Sequence, residues 1–392
     1  MLDSAKRLLA PSARSQVPPF MVMDVVAAAA RLEAAGRRVI HMEIGQPAAS
    51  APATALAAAR TALAAGKVEY TASLGLASVR RRIARHYAER HALDVDPGRI
   101  VVTTGSSAAF LLAFLAICNP GDRVAVANPG YPPCSNVLSA LGCEAVPIEV
   151  DAATRFAIAP DALLSIHCAR PLKAVLAASP ANPTGTMMTA EALTALARAA
   201  EDAGIAFISD EIYHGLDYEF AAPTALGVSS DAIVINSFSK YFCMTGWRIG
   251  WMVVPEALVR TIERLQQNLA ISVPALSQFA AEAAFAGAAE MEAVKRGYED
   301  SRRLLAERLP AAGLSRFPPM DGAFYLYADV SHLCEDSFAF AARILEDTGV
   351  AMTPGVDFDR VNGHRFIRLC YAGAAEDVRE AVERLESWLR RG

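Results

Sequence analysis

The chain has 392 residues, 53% of them hydrophobic and 20% charged, a length that fits two domains, or one large and one small. That apolar fraction with a net charge of −5 excludes intrinsic disorder, and 37 basic against 42 acidic residues give no electrostatic reason for a nucleic-acid partner. The longest apolar run, Ala108–Cys118, is well short of the roughly 20 residues that cross a bilayer, so no membrane partner is expected.

From the N-terminus onward, residues 1–20 lack a continuous apolar stretch before a small-residue cleavage site, and the cytoplasm is the expected location. Pro18-Pro19 precede an alanine-rich stretch, Val25–Ala35, and Gly36 follows it, as at the start and stop of a helix. Ala53–Ala65, Ala190–Ala203 and Ala275–Ala289 also hold helix formers with few breakers. Between the helices lie short β-branched runs at Ile100–Thr104, Arg123–Ala127, Ala145–Val150 and Ala174–Ala178. Others follow at Ile205–Ser209, Ala232–Asn236 and Arg248–Val254. Several are apolar on both faces, as strands covered by helices on both sides should be. This alternation predicts an α/β fold with a mainly parallel sheet between helices.

After about residue 275 the pattern changes. A long helical segment to about Leu309 leads to a strand at Gly322–Tyr327 and a helix at Ser337–Thr348. A strand around Arg365–Tyr371 and an amphipathic helix at Glu376–Arg390 close the chain. These form a smaller α+β unit. The expected division is a large domain over residues 45–285 and a small domain built from both chain ends, 1–44 and 286–392.

Seven scattered cysteines without a Cys-x-x-Cys pair look like reduced thiols, not a disulfide framework or zinc site. The chain has no Gly-x-Gly-x-x-Gly after a strand, no Walker loop, no Gly-x-Ser-x-Gly and no His-Glu-x-x-His. The histidines are dispersed, His41 reads as a strand residue, and no metal site is expected.

Lys240 is the informative residue. It is one of only five lysines and follows an apolar strand, in Ile-Val-Ile-Asn-Ser-Phe-Ser-Lys, where a solvated charge is unnatural. A lysine in a protected site loses its proton more easily and forms a Schiff base with an aldehyde. Ser237 and Ser239 precede it and Arg248 follows, a set suited to an aldehyde that also carries a phosphate. Thr103–Ser107 lies between a strand and an apolar helix, so the Ser106 and Ser107 amides sit at a helix start, where anions bind. Alone, a serine there is an ordinary N-cap. Asp210, in Ser-Asp-Glu-Ile-Tyr, ends another strand, where ligands of open α/β sheets gather; Glu211 beside it reads as structural. Asn182, in the rigid turn Ser179–Gly185, offers an amide to a ring oxygen or a carboxylate.

Five motifs in order, Asn-Pro-Gly-Tyr, Ser-Pro-Ala-Asn-Pro-Thr-Gly, Ser-Asp-Glu-Ile-Tyr, Ser-Phe-Ser-Lys and Met-Thr-Gly-Trp-Arg-Ile-Gly, resemble the pyridoxal-phosphate-dependent aminotransferases of fold type I. The match extends from Ile44-Gly45-Gln46-Pro47 to Arg368-Leu369-Cys370-Tyr371-Ala372. The resemblance implies a pyridoxal 5'-phosphate enzyme that moves an amino group between an L-amino acid and a 2-oxo acid by a ping-pong route. By the same resemblance, Lys240 holds the cofactor and carries the catalytic proton, and Asp210 pairs with the pyridine nitrogen. Tyr213 and Asn182 bond the ring oxygen, and Tyr131 stacks on the ring. Ser106, Ser107, Ser237, Ser239 and Arg248 hold the phosphate, with Tyr70 reaching that of a partner subunit. Arg368, with Gly45 and Asn182, takes the substrate carboxylate, a pairing lysine does not reproduce. A homodimer with its active site at the subunit interface is implied, and Phe20 and Met21 match the family's lid, although a staple at a helix start explains them equally well. The proline usual two residues after the Tyr70 position is missing, since the chain reads Tyr70-Thr71-Ala72-Ser73.

Two other functions stay open on motifs alone. A β-lyase or decarboxylase of the same fold shares the constellation and differs in which Cα bond is aligned. A non-catalytic sensor domain would need a DNA-binding unit, for which residues 1–40 are too few, and the near-neutral charge opposes it.

Overall fold

The computed structural model describes residues 10–391. The first nine residues of the expected small domain, part of the stretch scanned for a leader, lie outside the described residues, as does Gly392. In chain order the strands begin with β1 (Ile40–His41), β2 (Ile100–Thr103), β3 (Arg123–Asn128) and β4 (Glu144–Glu149). They continue with β5 (Ala174–Ala178), β6 (Ala206–Asp210), β7 (Ile233–Ser237) and β8 (Gly250–Val253). The C-terminal part adds β9 (Tyr325–Asp329), β10 (Val350–Ala351), β11 (Thr353–Pro354) and β12 (Phe366–Cys370).

β2 to β8 form one seven-stranded sheet in the order β2-β8-β7-β6-β5-β3-β4. β7, β6, β5, β3 and β4 run parallel, and β8 is antiparallel to both its neighbours. All seven predicted runs are strands, and the mainly parallel sheet is as expected. Successive side chains on a strand face opposite ways, and the core divides accordingly. Val102, Ala125, Val175, Phe207, Val234 and Trp251 pack in one cluster, with helices Ala53–Ala64, Ala77–His91, Ala190–Asp202 and Ala275–Ala284. Their neighbours Val101, Val124, Leu176, Ile208, Ile235 and Met252 pack in another, with helices Gly105–Ile117 and Glu256–Leu269.

β8 was expected to begin at Arg248 but begins at Gly250, because Arg248 is in the left-handed region at φ +50°. The β7–β8 connection holds no α-helix, so the chain reverses; antiparallel strands need no crossover. Ser237 and Gly250 pair directly, which makes residues 238–249 a closed loop carrying Ser239, Lys240 and Arg248.

The long helix expected from Ala275 to Leu309 is two helices, Ala275–Ala284 and Ala288–Arg308, separated by a turn at Phe285–Gly287. A Cβ on Gly287 would stand 2.3 Å from the Pro52 Cβ, so the turn exists where the backbone passes close to the start of helix Ala53–Ala64. Further on, β11-β12-β9 form an antiparallel sheet and β1 pairs with β10 in parallel. Ile40, Met42, Leu326, Ile344, Ile367 and Val382 share a core there, which Tyr213 and Leu216 join from the loop after β6. Among the described residues, no helix is long and apolar enough to cross a membrane.

Candidate active site

The carboxyl ends of β5, β6 and β7 open on one side of the sheet, where the following loops converge. Asp210 is the last residue of β6 and only 7% exposed. Its Oδ1 accepts the Ile212 N–H at 3.1 Å. Burial pushes the carboxyl up to about 7, against the Ile212 bond and the positive charge of Lys240. Glu211 instead accepts from Ser209 Oγ, Thr224 Oγ1 and the Ala225 N–H at 2.8–3.0 Å, which ties the loop after β6 to the following chain.

Lys240 Nζ donates to the Gly45 carbonyl at 2.6 Å and stands 5.9 Å from the ring centres of Tyr213 and Phe324. The residue is part-exposed, yet its amine is pushed down to about 8, first by desolvation and then by the nearby Arg368 and Arg248 charges; Cys370 and Asp210 oppose the shift. Gly45 has a spatial reason to be glycine, since a Cβ there would lie 1.9 Å from the Tyr325 hydroxyl. That hydroxyl is 2.7 Å from the hydroxyl of Tyr213.

Arg368, on β12, is 2% exposed. Its Nη1 donates to Asn182 Oδ1 at 2.8 Å, and Nη2 donates to the Glu43 carbonyl and to Thr353 Oγ1. The guanidinium lies 4.5 Å from the Tyr325 ring centre and 4.6 Å from that of Phe358. Its Nε has no partner, and no described carboxylate comes within 4.0 Å.

A second focus forms at the start of helix Gly105–Ile117. Gly105 has φ +72°, and a Cβ there would meet Arg248 Nη2 at 2.6 Å, so the guanidinium lies against the first turn. Ser106 is buried and Ser107 exposed. The Ser237 and Ser239 hydroxyls are 2.9 Å apart, and the Ser239 N–H donates to Ser237 Oγ. Helix amides, hydroxyls and a guanidinium of this kind make an anion cradle.

A cavity of about 840 Å³ has Asp210, Asn182, Tyr131, Met21, Val356 and Phe358 among its lining residues. Lys240 and Arg368 are not in its lining; Arg368 reaches it through Asn182 and Phe358. Burial pushes the Tyr131 phenol up to about 12, and its ring meets Phe20 edge-on at 6.1 Å. Tyr70 is apart from this group, at the surface and 80% exposed. The sequence reading missed Glu43, Thr353, Tyr325, Asp357 and Phe358. Nothing in their local pattern separates them from ordinary strand or loop residues. Among the described residues, no group of three or more His, Cys, Asp and Glu could hold a metal.

The family described as aminotransferase class I and II matches residues 37–385. The chain belongs to that family. Similarity to individual members is close. A valine–pyruvate aminotransferase of Mycobacterium tuberculosis is 47% identical over 96% of this chain and 97% of that protein. The crystal structure of an aminotransferase from Mycobacterium tuberculosis has a TM-score of 0.95 at 46% identity, covering 98% of this chain and all of the other. An aspartate aminotransferase from Thermus thermophilus, solved with maleate, has a TM-score of 0.89 at 34% identity, over 96% and 99% of the two chains. As a class I and II aminotransferase of fold type I, the protein is an enzyme that transfers amino groups between an amino acid and a 2-oxo acid.

Proposed function

We propose that this aminotransferase uses pyridoxal 5'-phosphate to exchange the amino group of a compact apolar L-amino acid with pyruvate or a similar 2-oxo acid. The observation that carries the reading is the pairing of a buried, carboxylate-free Arg368 with a lysine amine pushed down to about 8. The donor set fits the cofactor: a depressed amine for its aldehyde, a buried carboxyl for its ring nitrogen, and an anion cradle at Gly105 for its phosphate. When bound, pyridoxal phosphate supplies that aldehyde and a ring able to take up the electron pair left at the substrate Cα.

The chain's own groups do the rest. Lys240 Nζ takes the proton from Cα and returns one in each half of the ping-pong cycle, which its lowered affinity for protons favours near neutral pH. Asp210 holds a proton at the ring nitrogen; an approaching cation would draw the carboxyl back to its ionised form. Asn182 and Tyr213 hold the ring oxygen and Tyr131 covers the ring face. Ser106, Ser107, Ser237, Ser239 and Arg248 hold the phosphate. Arg368, oriented by Asn182, grips the substrate carboxylate beside Gly45.

Support for an apolar substrate comes from the cavity as well as from the valine–pyruvate relative. Pro18, Pro19, Met21, Val356 and Phe358 are among the residues that line it, and Arg360 is the one lining residue with a guanidinium to offer an acidic side chain. A homodimer is part of the proposal. Val68, Tyr70, Leu269 and Ile271 are each at least 50% exposed, and the Thr71 N–H to Ser272 Oγ bond draws their two segments together. An apolar patch of this kind suits a second copy, whose Tyr70 would reach the phosphate. We assign residues 45–285 to the large domain and 1–44 with 286–392 to the small one. We place the enzyme in the cytoplasm, in keeping with seven free cysteines.

The test is the visible spectrum of the loaded enzyme, titrated with single amino acids. Valine and alanine should bleach the lysine-bound cofactor band, and pyruvate should restore it. A response to aspartate or glutamate alone would overturn the substrate class, and the lack of any such band in protein given the cofactor would overturn the assignment of Lys240.

A further inference from the structure

Helix Val22–Ala34 starts without a side-chain cap of its own, because Met21 at its beginning offers no hydroxyl or carboxylate. Asp357 supplies one from a distant part of the chain. The Met21 N–H donates to its Oδ1 at 2.9 Å and the Val22 N–H to its Oδ2 at 3.2 Å. Asp357 is 9% exposed and lies in the loop between β11 and β12. That loop is fastened to the large sheet. Asn128 Nδ2 donates to Asp359 Oδ1 at 2.9 Å, and the Gly130 N–H donates to the Phe358 carbonyl at 3.1 Å. The Phe358 ring in turn packs on the Arg368 guanidinium. Through Asp357, the loop holds a segment in which Pro18, Pro19 and Met21 line the cavity and Phe20 meets Tyr131.

We propose that Asp357 is a positioning residue that fixes Pro18–Met21 as the outer wall of the cavity and so sets affinity for the substrate's apolar side chain. The inference rests on the reading that this cavity receives that side chain. A buried carboxylate needs donors, and two amides at the positive end of a helix satisfy it well. The same two bonds keep the segment from swinging away. A closed wall removes apolar substrate surface from water, which strengthens binding in ground and transition states alike and leaves the chemical step unaided.

The experiment compares Asp357→Asn and Asp357→Ser with wild type, all loaded with pyridoxal phosphate. Hydrogen exchange at the Met21 and Val22 amides is read beside KM and kcat for valine and alanine. Exchange should quicken at least about five-fold, and KM for valine should rise about five- to ten-fold with kcat within about two-fold. Phe20→Ala, which leaves both hydrogen bonds in place, should raise KM with exchange at Val22 unchanged. Unaltered exchange in both Asp357 variants overturns the contact. Faster exchange with KM unchanged for every amino acid the wild type turns over overturns its link to the substrate. A wild type that turns over only acidic amino acids overturns the cavity reading instead, while the exchange rates still judge Asp357.

Discussion

Lys240 and Arg368 are held by one three-residue stretch: Lys240 Nζ donates to the Gly45 carbonyl, and Arg368 Nη2 donates to that of Glu43. Two cations brought together in a buried place repel each other, and the Arg368 charge is one of the causes that lower the Lys240 amine, after burial itself. Backbone carbonyls offset part of that cost and fix both groups in one frame. A substrate carboxylate arriving at Arg368 would therefore be placed at a set distance from the amine that acts on its Cα.

Arg368→Lys tests that placement. A lysine keeps the charge but loses the fork that meets Asn182, Glu43 and Thr353 together. KM for the amino acid should rise about 30- to 100-fold, in line with the loss of about 2–3 kcal/mol of charge-assisted bonding. The cofactor's visible band should be intact, so a spectral titration reads substrate affinity directly. A KM within about two-fold of wild type would falsify the carboxylate role.

The Lys240 amine sets a pH dependence. Its affinity for protons is lowered to about 8, so the free-base fraction grows as pH rises and levels off above that value. Only the free base attacks an aldehyde. The rate at which the cofactor-free enzyme takes up pyridoxal phosphate should rise with pH and turn over near 8. An ordinary lysine would keep climbing to about 10.4. Stopped-flow absorbance across pH 6 to 10 checks this, and a rate still climbing above pH 9.5 would disprove the depressed amine.

The sheet was legible because its signal is local. Each strand is a short β-branched run, and alternation along it already sorts Val101 from Val102 and Ile235 from Val234. Lys240, Asp210 and Asn182 were legible for a related reason: each stands at the end of an apolar strand or within four residues after it. Arg368 was readable only through family resemblance, since its local pattern is that of a strand residue and its burial comes from Tyr325 and Phe358. The turn at Phe285–Gly287 was invisible because alanine-rich sequence favours continued helix, while the close pass to Pro52 is a tertiary fact. Likewise, no local rule joins Asp357 to Met21, 336 residues away.

Gly105→Ala probes the proposed phosphate cradle. The new Cβ would sit 2.6 Å from Arg248 Nη2 at a residue with φ +72°, so both the backbone and the guanidinium must shift. Cofactor affinity should fall at least about ten-fold, because misplaced donors bind an oxyanion poorly. Saturating cofactor should restore most of the turnover. Equilibrium titration of the cofactor-free enzyme gives the Kd, and a value equal to that of wild type would remove the helix start from the phosphate site.

Asp217 governs stability outside the reacting groups. Its carboxylate accepts from Arg90 Nη2 at 2.8 Å, Lys295 Nζ at 2.9 Å and the Ala222 N–H at 3.0 Å, joining helices Ala77–His91 and Ala288–Arg308 to the loop after β6. Burial raises this carboxyl, but Arg90 and Lys295 outweigh burial and draw it down to about 2. A folded-state value below the unfolded one of about 3.9 means that the stabilisation is complete above pH 5 and fades as pH falls through 2. Asp217→Asn leaves two half-buried cations unpaired and should cost about 2–4 kcal/mol at pH 7. The gap between wild type and variant should narrow towards pH 2, since acid then neutralises the same carboxyl in the wild type. Urea unfolding at pH 7, 4 and 2 measures that gap. A deficit that is constant across the three would mean that shape, and not charge, is what Asp217 contributes at this junction.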